Sequence, residues 1–203
     1  GEARVCCLAD NLITQPNGHP YNMQEHSLQQ AFQSDYMKKL RQEFLDGQKP
    51  STCIKSCGGE EAGGKSKRIL AYDMLEYTKV FDKIDYQDTD PKTIQFLDLK
   101  LGNICNLKCR ICGSWSSSKW AQEELDYGEN PVARKNLKEG GWPKKHPKFF
   151  EDIQECLADA EYFEFTGGEP FMIRDHFKIL MYCVEKGYAK NIDIHYNTNG
   201  THL

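Results

Sequence analysis

Three stretches in the second half of the chain alternate apolar and polar residues with a period of two, the pattern of half-buried strands. They are "IQFLDLKL" (Ile94 to Leu101), "EYFEFTGG" (Glu161 to Gly168) and "NIDIHYNTNG" (Asn191 to Gly200). Between them the apolar positions recur at helical spacing. Trp115 to Leu125 is predicted to be helical, and a polar excursion then runs to Pro147. Phe149 to Ala160 is predicted as a helix on Phe150, Ile153 and Leu157. "RDHFKILMYCVEKG" (Arg174 to Gly187) is predicted as a helix that buries Phe177, Leu180, Met181 and Val184 and stops at Gly187. Strand, helix, strand, helix, strand predicts parallel β/α units. If the apolar set of each strand packs on outer helices, Asp98, Lys100, Glu164, Thr166, Asp193, His195 and Asn197 line an interior able to hold a ligand. The other solution is a sheet with one solvated face.

The first half reads differently. Residues 1 to 26 are short extended pieces and turns, punctuated by "QPNGHP" (Gln15 to Pro20). Leu28, Phe32, Met37, Leu40, Phe44 and Leu45 predict one helix, ended by Gly47 and Pro50. "CIKSCGGEEAGGKSKR" (Cys53 to Arg68) reads as a polar, glycine-rich loop, and Leu70 to Phe81 as helix-like. Asp85 to Thr93 has the composition of a linker, which predicts two domains, residues 1–90 and 91–203.

Composition narrows the function classes. The 203 residues carry a net charge of −4 with both signs interspersed, which argues against an extended nucleic-acid surface. The basic stretch "WPKKHPK" (Trp142 to Lys148) reads as a solvated loop. No apolar run approaches the ~18 residues of a membrane span and no secretory pattern opens the chain, so a cytoplasmic protein is expected. Nine cysteines without a secretory segment favour reduced thiols that bind metal over a disulfide framework.

"CNLKCRIC" (Cys105 to Cys112) sets three of them, Cys105, Cys109 and Cys112, on the loop after the first predicted strand. α/β folds place ligands at such carboxyl ends. Iron–sulfur clusters normally take four thiolates, so a trio leaves one coordination position open, the mark of a catalytic rather than a structural centre. A zinc site built from Cys109 and Cys112 with Cys53 and Cys57 is the alternative, and it leaves Cys105 over.

C-x3-C-x2-C after a first strand resembles the signature of radical S-adenosylmethionine (SAM) enzymes. "TGGEP" (Thr166 to Pro170) after the second strand and "YNTNGT" (Tyr196 to Thr201) after the third extend the resemblance. So does Ile111, the hydrophobic residue before the last cysteine. The resemblance implies that Cys105, Cys109 and Cys112 hold a [4Fe–4S] cluster whose fourth ligand is SAM itself. Reductive cleavage of SAM then gives a 5′-deoxyadenosyl radical that abstracts a hydrogen atom from substrate. It further implies that Gly167, Gly168 and Glu169 receive the methionine end of SAM, with Glu169 pairing its ammonium. Ile111 would pack on adenine, and Asn197 and Asn199 would meet the ribose or carboxylate. A reduced flavodoxin- or ferredoxin-type electron donor is implied too.

Cys6, followed by Cys7, and then Cys53 and Cys57 resemble the auxiliary-cluster module called SPASM, or its shortened form, twitch, here placed before the barrel. That resemblance implies an auxiliary iron–sulfur cluster on Cys6, Cys53 and Cys57, with Cys7 as a substitute, and a peptide or protein substrate. Cys156 and Cys183, on apolar helix faces, are expected to be core residues. "GEEAGGKS" (Gly59 to Ser66) matches the phosphate-binding P-loop pattern, but no hydrophobic strand delivers it. The expected fold is therefore α/β, a partial β/α barrel of radical SAM type after a small α+β auxiliary domain. The family's barrel has more β/α units than the three predicted before Leu203, so a longer chain or another polypeptide is expected to complete it. The alternatives are a non-catalytic binding module stabilised by zinc or iron–sulfur, and a P-loop nucleotide binder.

Overall fold

The computed structural model describes residues 1–76 and 80–202. The chain forms two compact units, Glu2–Gln95 and a second that starts at Phe96 and also takes in Gly1.

The first unit opens with isolated antiparallel bridges, Glu2 to Asn22, Arg4 to Leu12 and Thr14 to Pro20. They bury Ala3, Ala9, Ile13 and Met23. The single helix expected over Leu28 to Leu45 is two: α1 (Leu28–Phe32) and α2 (Asp35–Leu45). Ser34 divides them because its extended backbone and its hydroxyl, which accepts from Met37 N at 3.4 Å, start a new helix there. Gly47, at φ +71°, follows the C-terminus of α2. Arg41 ties the unit together: its guanidinium stacks on Phe32 and donates to the carbonyls of Thr89 (3.1 Å) and Phe32 (2.9 Å).

The segment expected as a loop from Cys53 to Arg68 is largely helical turns. A 3-10 turn (Ser51–Cys53) leads into a one-turn π-helix (Ile54–Gly58) and the single turn α3 (Gly59–Glu61). α4 (Lys67–Glu76) follows. Ser66 caps it, accepting from Ile69 N at 3.2 Å while donating to Glu61 Oε1. Because Ser66 is spent as a cap and no strand precedes Gly59, the P-loop geometry is missing from this segment. Of the expected helix over Leu70 to Phe81, residues 77–79 lie outside the described residues, and a 3-10 turn (Val80–Lys83) comes after them.

The second unit is built on three parallel strands in the order β1 (Phe96–Lys100), β2 (Tyr162–Thr166), β3 (Asp193–Tyr196). β1 leads through α5 (Ser118–Asp126), α6 (Pro131–Glu139) and α7 (Lys148–Leu157) to β2; α8 (Arg174–Glu185) connects β2 to β3. Leu97 stands opposite Phe163, and Leu99 opposite Phe165, so the alternating apolar residues share one face. That face is buried together with Ile153, Cys156 and Leu157 of α7 and Ile179 and Cys183 of α8. On the opposite face the polar set is hydrogen-bonded across strands. Thr166 donates to Asp98 at 3.1 Å and Asn197 donates to Glu164 at 3.1 Å.

Three expectations fail here. The polar excursion contains α6, which Asn130 caps by accepting from Ala133 N, with Pro131 at its first position. The stretch "WPKKHPK" is anchored rather than solvated: Trp142 is buried, stacks edge-on against Phe149 and donates Nε1–H to Lys100 O at 3.2 Å. α8 turns a different face inward. Asp175, His176, Ile179 and Cys183 are buried, whereas Phe177, Met181 and Val184 stay exposed. His176 accounts for the rotation, since its Nδ1 bonds Ile173 O at 2.7 Å and its ring sits among Phe165, Phe171 and Tyr196. α8 does end at Gly187 as expected, at φ +76°, with Tyr188 N reaching back to Cys183 O. Among the described residues no helix is long and apolar enough to cross a membrane.

Candidate functional site

The loop after β1 carries Cys105, Cys109 and Cys112, and both of its ends are fastened. Asn103 N donates to Gly140 O at 3.1 Å, and Asn103 O accepts from Ser118 N at 2.7 Å. The Asn103 amide, itself buried, donates to Ser114 O (2.7 Å) and Asn136 O (3.1 Å). Ser117 caps α5 and its hydroxyl also donates to Leu107 O at 2.6 Å. Ser118 Oγ accepts from Cys105 N at 3.2 Å, and Trp120 Nε1 donates to Cys109 O at 3.0 Å. The helix start therefore organises the cysteine loop. Lys108 pairs with Glu123 of the same helix.

Cys105 is buried, Cys112 half-buried and Cys109 exposed, and a turn joins Cys112 N to Cys109 O at 2.9 Å. Burial pushes the Cys112 thiol up, and the neighbouring Cys109 and Cys105 push it further. A bound cation relieves that charge problem at Cys112. The donor set fits an iron–sulfur centre in chemistry and in sharing one loop. Among the described residues, however, no three His, Cys, Asp or Glu side chains already stand in coordinating geometry.

The loop after β2 closes on the cysteine loop through main-chain bonds. Gly168 N donates to Ser116 O (3.1 Å) and Glu169 N to Ile104 O (2.8 Å). Gly167 and Gly168 are both left-handed, at φ +78° and +65°. A Cβ on Gly168 would lie 2.9 Å from Asn103 C and Ile104 N and closer still to Ile104 O; one on Gly167 would meet Lys100 and Gly102 O. Only glycine allows this approach.

Glu169 is fully buried. Its Oε1 accepts from Phe171 N (3.2 Å) and Thr198 Oγ1 (2.8 Å), and its Oε2 from Asn199 N (2.8 Å). The carboxylate thus fixes the turn after β3. Asn199 donates from Nδ2 to Asn106 Oδ1 (3.0 Å) and to Cys105 Sγ (3.7 Å). Asn197 sits at the end of β3, with its N on Phe165 O and its amide on Glu164. The three strand ends therefore bring Cys105, Gly168, Glu169 and Asn199 into one bonded group. Asn197 faces Glu164, and Ile111 is 93% exposed on the loop.

The family model described as the Radical SAM superfamily matches residues 99–203, which spans this whole site. The chain belongs to the radical SAM superfamily. No curated protein and no solved structure matches it. Membership of the radical SAM superfamily implies a [4Fe–4S] cluster and SAM, and supports an enzyme that uses SAM-dependent radical chemistry. The mixed α/β unit with its small parallel sheet is compatible with part of that fold. The match includes none of residues 1–98, and nothing in it supports an auxiliary module.

The second cysteine group lies within the first unit. Cys57 is buried, Cys6 and Cys53 are half-buried and Cys7 is exposed. Burial pushes the Cys53 thiol up, followed by Cys6 and Cys57. Thr52, buried, accepts from Asn11 N (3.1 Å), and Ser56 donates to Leu8 O (3.0 Å), so the Cys6 turn is tied to the Cys53–Cys57 segment.

Sequence reasoning missed the residues that hold the site, namely Asn103, Ser116, Ser117, Ser118, Trp120, Thr198 and Asn106. The serine run just before a helical stripe was the available signal, since serine is a preferred N-cap.

Proposed function

We propose that the chain is the cluster- and SAM-binding part of a radical SAM enzyme in which Cys105, Cys109 and Cys112 ligate three irons of a [4Fe–4S] cluster. The observation that carries this reading is the bonding of the Gly168–Glu169 loop to the cysteine loop at Ser116 and Ile104. When bound, cluster and SAM together supply one-electron cleavage of the SAM carbon–sulfur bond and a 5′-deoxyadenosyl radical that takes a hydrogen atom from substrate.

The chain's own groups bind and orient. Gly167 and Gly168 offer backbone without side chains to the methionine end of SAM. Glu169 supplies negative charge for its ammonium. A carboxylate has about four acceptor sites, and three are taken by Phe171, Thr198 and Asn199, so this contact uses the remaining one and requires the covering turn to shift. Ile111 offers an exposed apolar surface for adenine. In this reading Asn197 and Asn199 meet the ribose or carboxylate, which their position just after β3 supports, and Asn199 exchanges one of its present bonds to do so.

We place the domain division between residues 1–90 and 91–203, close to where the compact units part at Gln95 and Phe96. The first holds a SPASM- or twitch-type auxiliary cluster on Cys6, Cys53 and Cys57, with Cys7 as substitute, and the hydrogen bonds that tie the Cys6 turn to the Cys53–Cys57 segment support it. The substrate is a peptide or protein, the electron donor is of flavodoxin or ferredoxin type, and the compartment is cytoplasmic.

Anaerobic reconstitution tests the reading. Two clusters give on the order of eight iron and eight sulfide per chain, with reductive cleavage of SAM. Cys109→Ser abolishes that cleavage while the auxiliary cluster remains; retained cleavage refutes the ligand assignment. Colourless protein with stoichiometric zinc supports a non-catalytic module instead.

A further inference from the structure

The turn after β3 reaches the cysteine loop through one side chain. Asn199 Oδ1 accepts from both Thr201 N (3.0 Å) and Thr201 Oγ1 (2.7 Å). Two donors on that oxygen fix which end of the amide faces away, so Nδ2, with its two hydrogens, must point toward Asn106 and Cys105. One hydrogen goes to Asn106 Oδ1 at 3.0 Å and the other to Cys105 Sγ at 3.7 Å. Asn106 Nδ2 closes the ring by donating to Thr201 Oγ1 at 2.8 Å. Glu169 pins the Asn199 backbone from below at 2.8 Å. Cys105 receives a second N–H from Leu107 at 3.5 Å.

We propose that Asn199 is a positioning residue for the cluster: its amide, clamped by Thr201, Asn106 and Glu169, donates to the Cys105 sulfur and raises the cluster's reduction potential. This rests on Cys105 being a cluster ligand. Reduction adds one electron to a centre whose thiolates share its negative charge, so an N–H aimed at a ligand sulfur stabilises the reduced form more than the oxidised form. Hydrogen bonds to the sulfurs are among the factors that set iron–sulfur potentials. Because the same amide belongs to the network that Glu169 anchors, a ligand that pulls on Glu169 also moves the donor at Cys105. The SAM end of the site and the cluster potential are thereby coupled through Asn199.

The experiment is an EPR-monitored redox titration of the reconstituted full chain, with the signal of this cluster identified by its loss in Cys109→Ser. Asn199→Asp preserves shape but replaces the donor by an acceptor, and Asn199→Ala removes it. Both are expected to lower the ratio of reduced to oxidised cluster at a fixed poise at least tenfold, which for a one-electron couple is a shift of 59 mV to more negative potential. Midpoints are compared among variants that load iron to the wild-type level, with apo-protein unfolding measured alongside. Thr201→Val, at an exposed position, keeps the ligand and the amide but removes one clamp; a smaller shift in the same direction is expected, and Thr201→Ser restores the wild-type midpoint. Unchanged midpoints in loaded Asn199→Asp and Asn199→Ala overturn the proposal. If neither variant loads iron, a wild-type midpoint in Thr201→Val overturns it. A signal that survives Cys109→Ser overturns instead the ligand assignment on which the proposal rests.

Discussion

Gly168→Ala is the perturbation whose magnitude follows most directly from the geometry. An L-residue in the left-handed region costs about 1–2 kcal/mol, and Gly168 sits there at φ +65°. The new Cβ would also stand 2.9 Å from Asn103 C and Ile104 N. These neighbours are main chain and cannot rotate away. Forcing them apart adds the cost of overpacking, about 1–3 kcal/mol, for a total of about 2–5 kcal/mol. Gly187 is the internal control: its φ is +76°, but a Cβ there meets nothing within 4 Å, so Gly187→Ala should lose only the conformational part, about 1–2 kcal/mol. Thermal unfolding of the apo protein measures the difference, at about 2–4 °C per kcal/mol for a chain of this size. Gly168→Ala should melt several degrees below Gly187→Ala and, because Ile104 precedes Cys105, should also take up less iron. Equal losses of stability in the two variants would refute the close-approach argument.

Two further outcomes follow. Burial pushes the Cys156 thiol up to about 11 from its ordinary 9.0. The unfolded chain therefore releases this proton first as pH rises, so stability should be fully present below pH 9 and fall as pH climbs from there toward 11. Urea unfolding at pH 8 and pH 10 should show that loss, and Cys156→Ala should flatten it. Ser117→Ala removes the α5 cap and the bond to Leu107 O; a lost cap costs about 0.5–2 kcal/mol, and iron bound after reconstitution should drop while Cys53-dependent iron does not.

The strands were readable because β1 and β2 each set alternate apolar residues on one buried face, although Phe96 and Tyr162 stack on the other. A slip of one residue would carry Leu97 and Leu99 off the face that Phe163 and Phe165 occupy. α8 was readable as a helix but not in its orientation. It bears two apolar stripes, Phe177–Met181–Val184 and His176–Ile179–Cys183, each at helical spacing. Periodicity cannot choose between them; a buried histidine bonded to Ile173 O does. α6 was lost in a run of charges, with only Asn130 and Pro131 to mark its start. The cysteines of the candidate site could be singled out from spacing. The serines and asparagines that hold them could not, since Ser118 meets Cys105 across 13 residues and Asn199 meets it across 94. Such partners depend on how strand ends converge, which no local pattern encodes.

The bonds at Asn103 and Ser118 have a bearing on how metal would be acquired. Gathering the ends of a free segment of this length costs roughly 2.5 kcal/mol in chain entropy. Here Ser118 N on Asn103 O, with Asn103 N on Gly140 O, already meets that cost from protein contacts alone. Iron binding these sulfurs would have only their spacing left to adjust, since the loop ends are held without it.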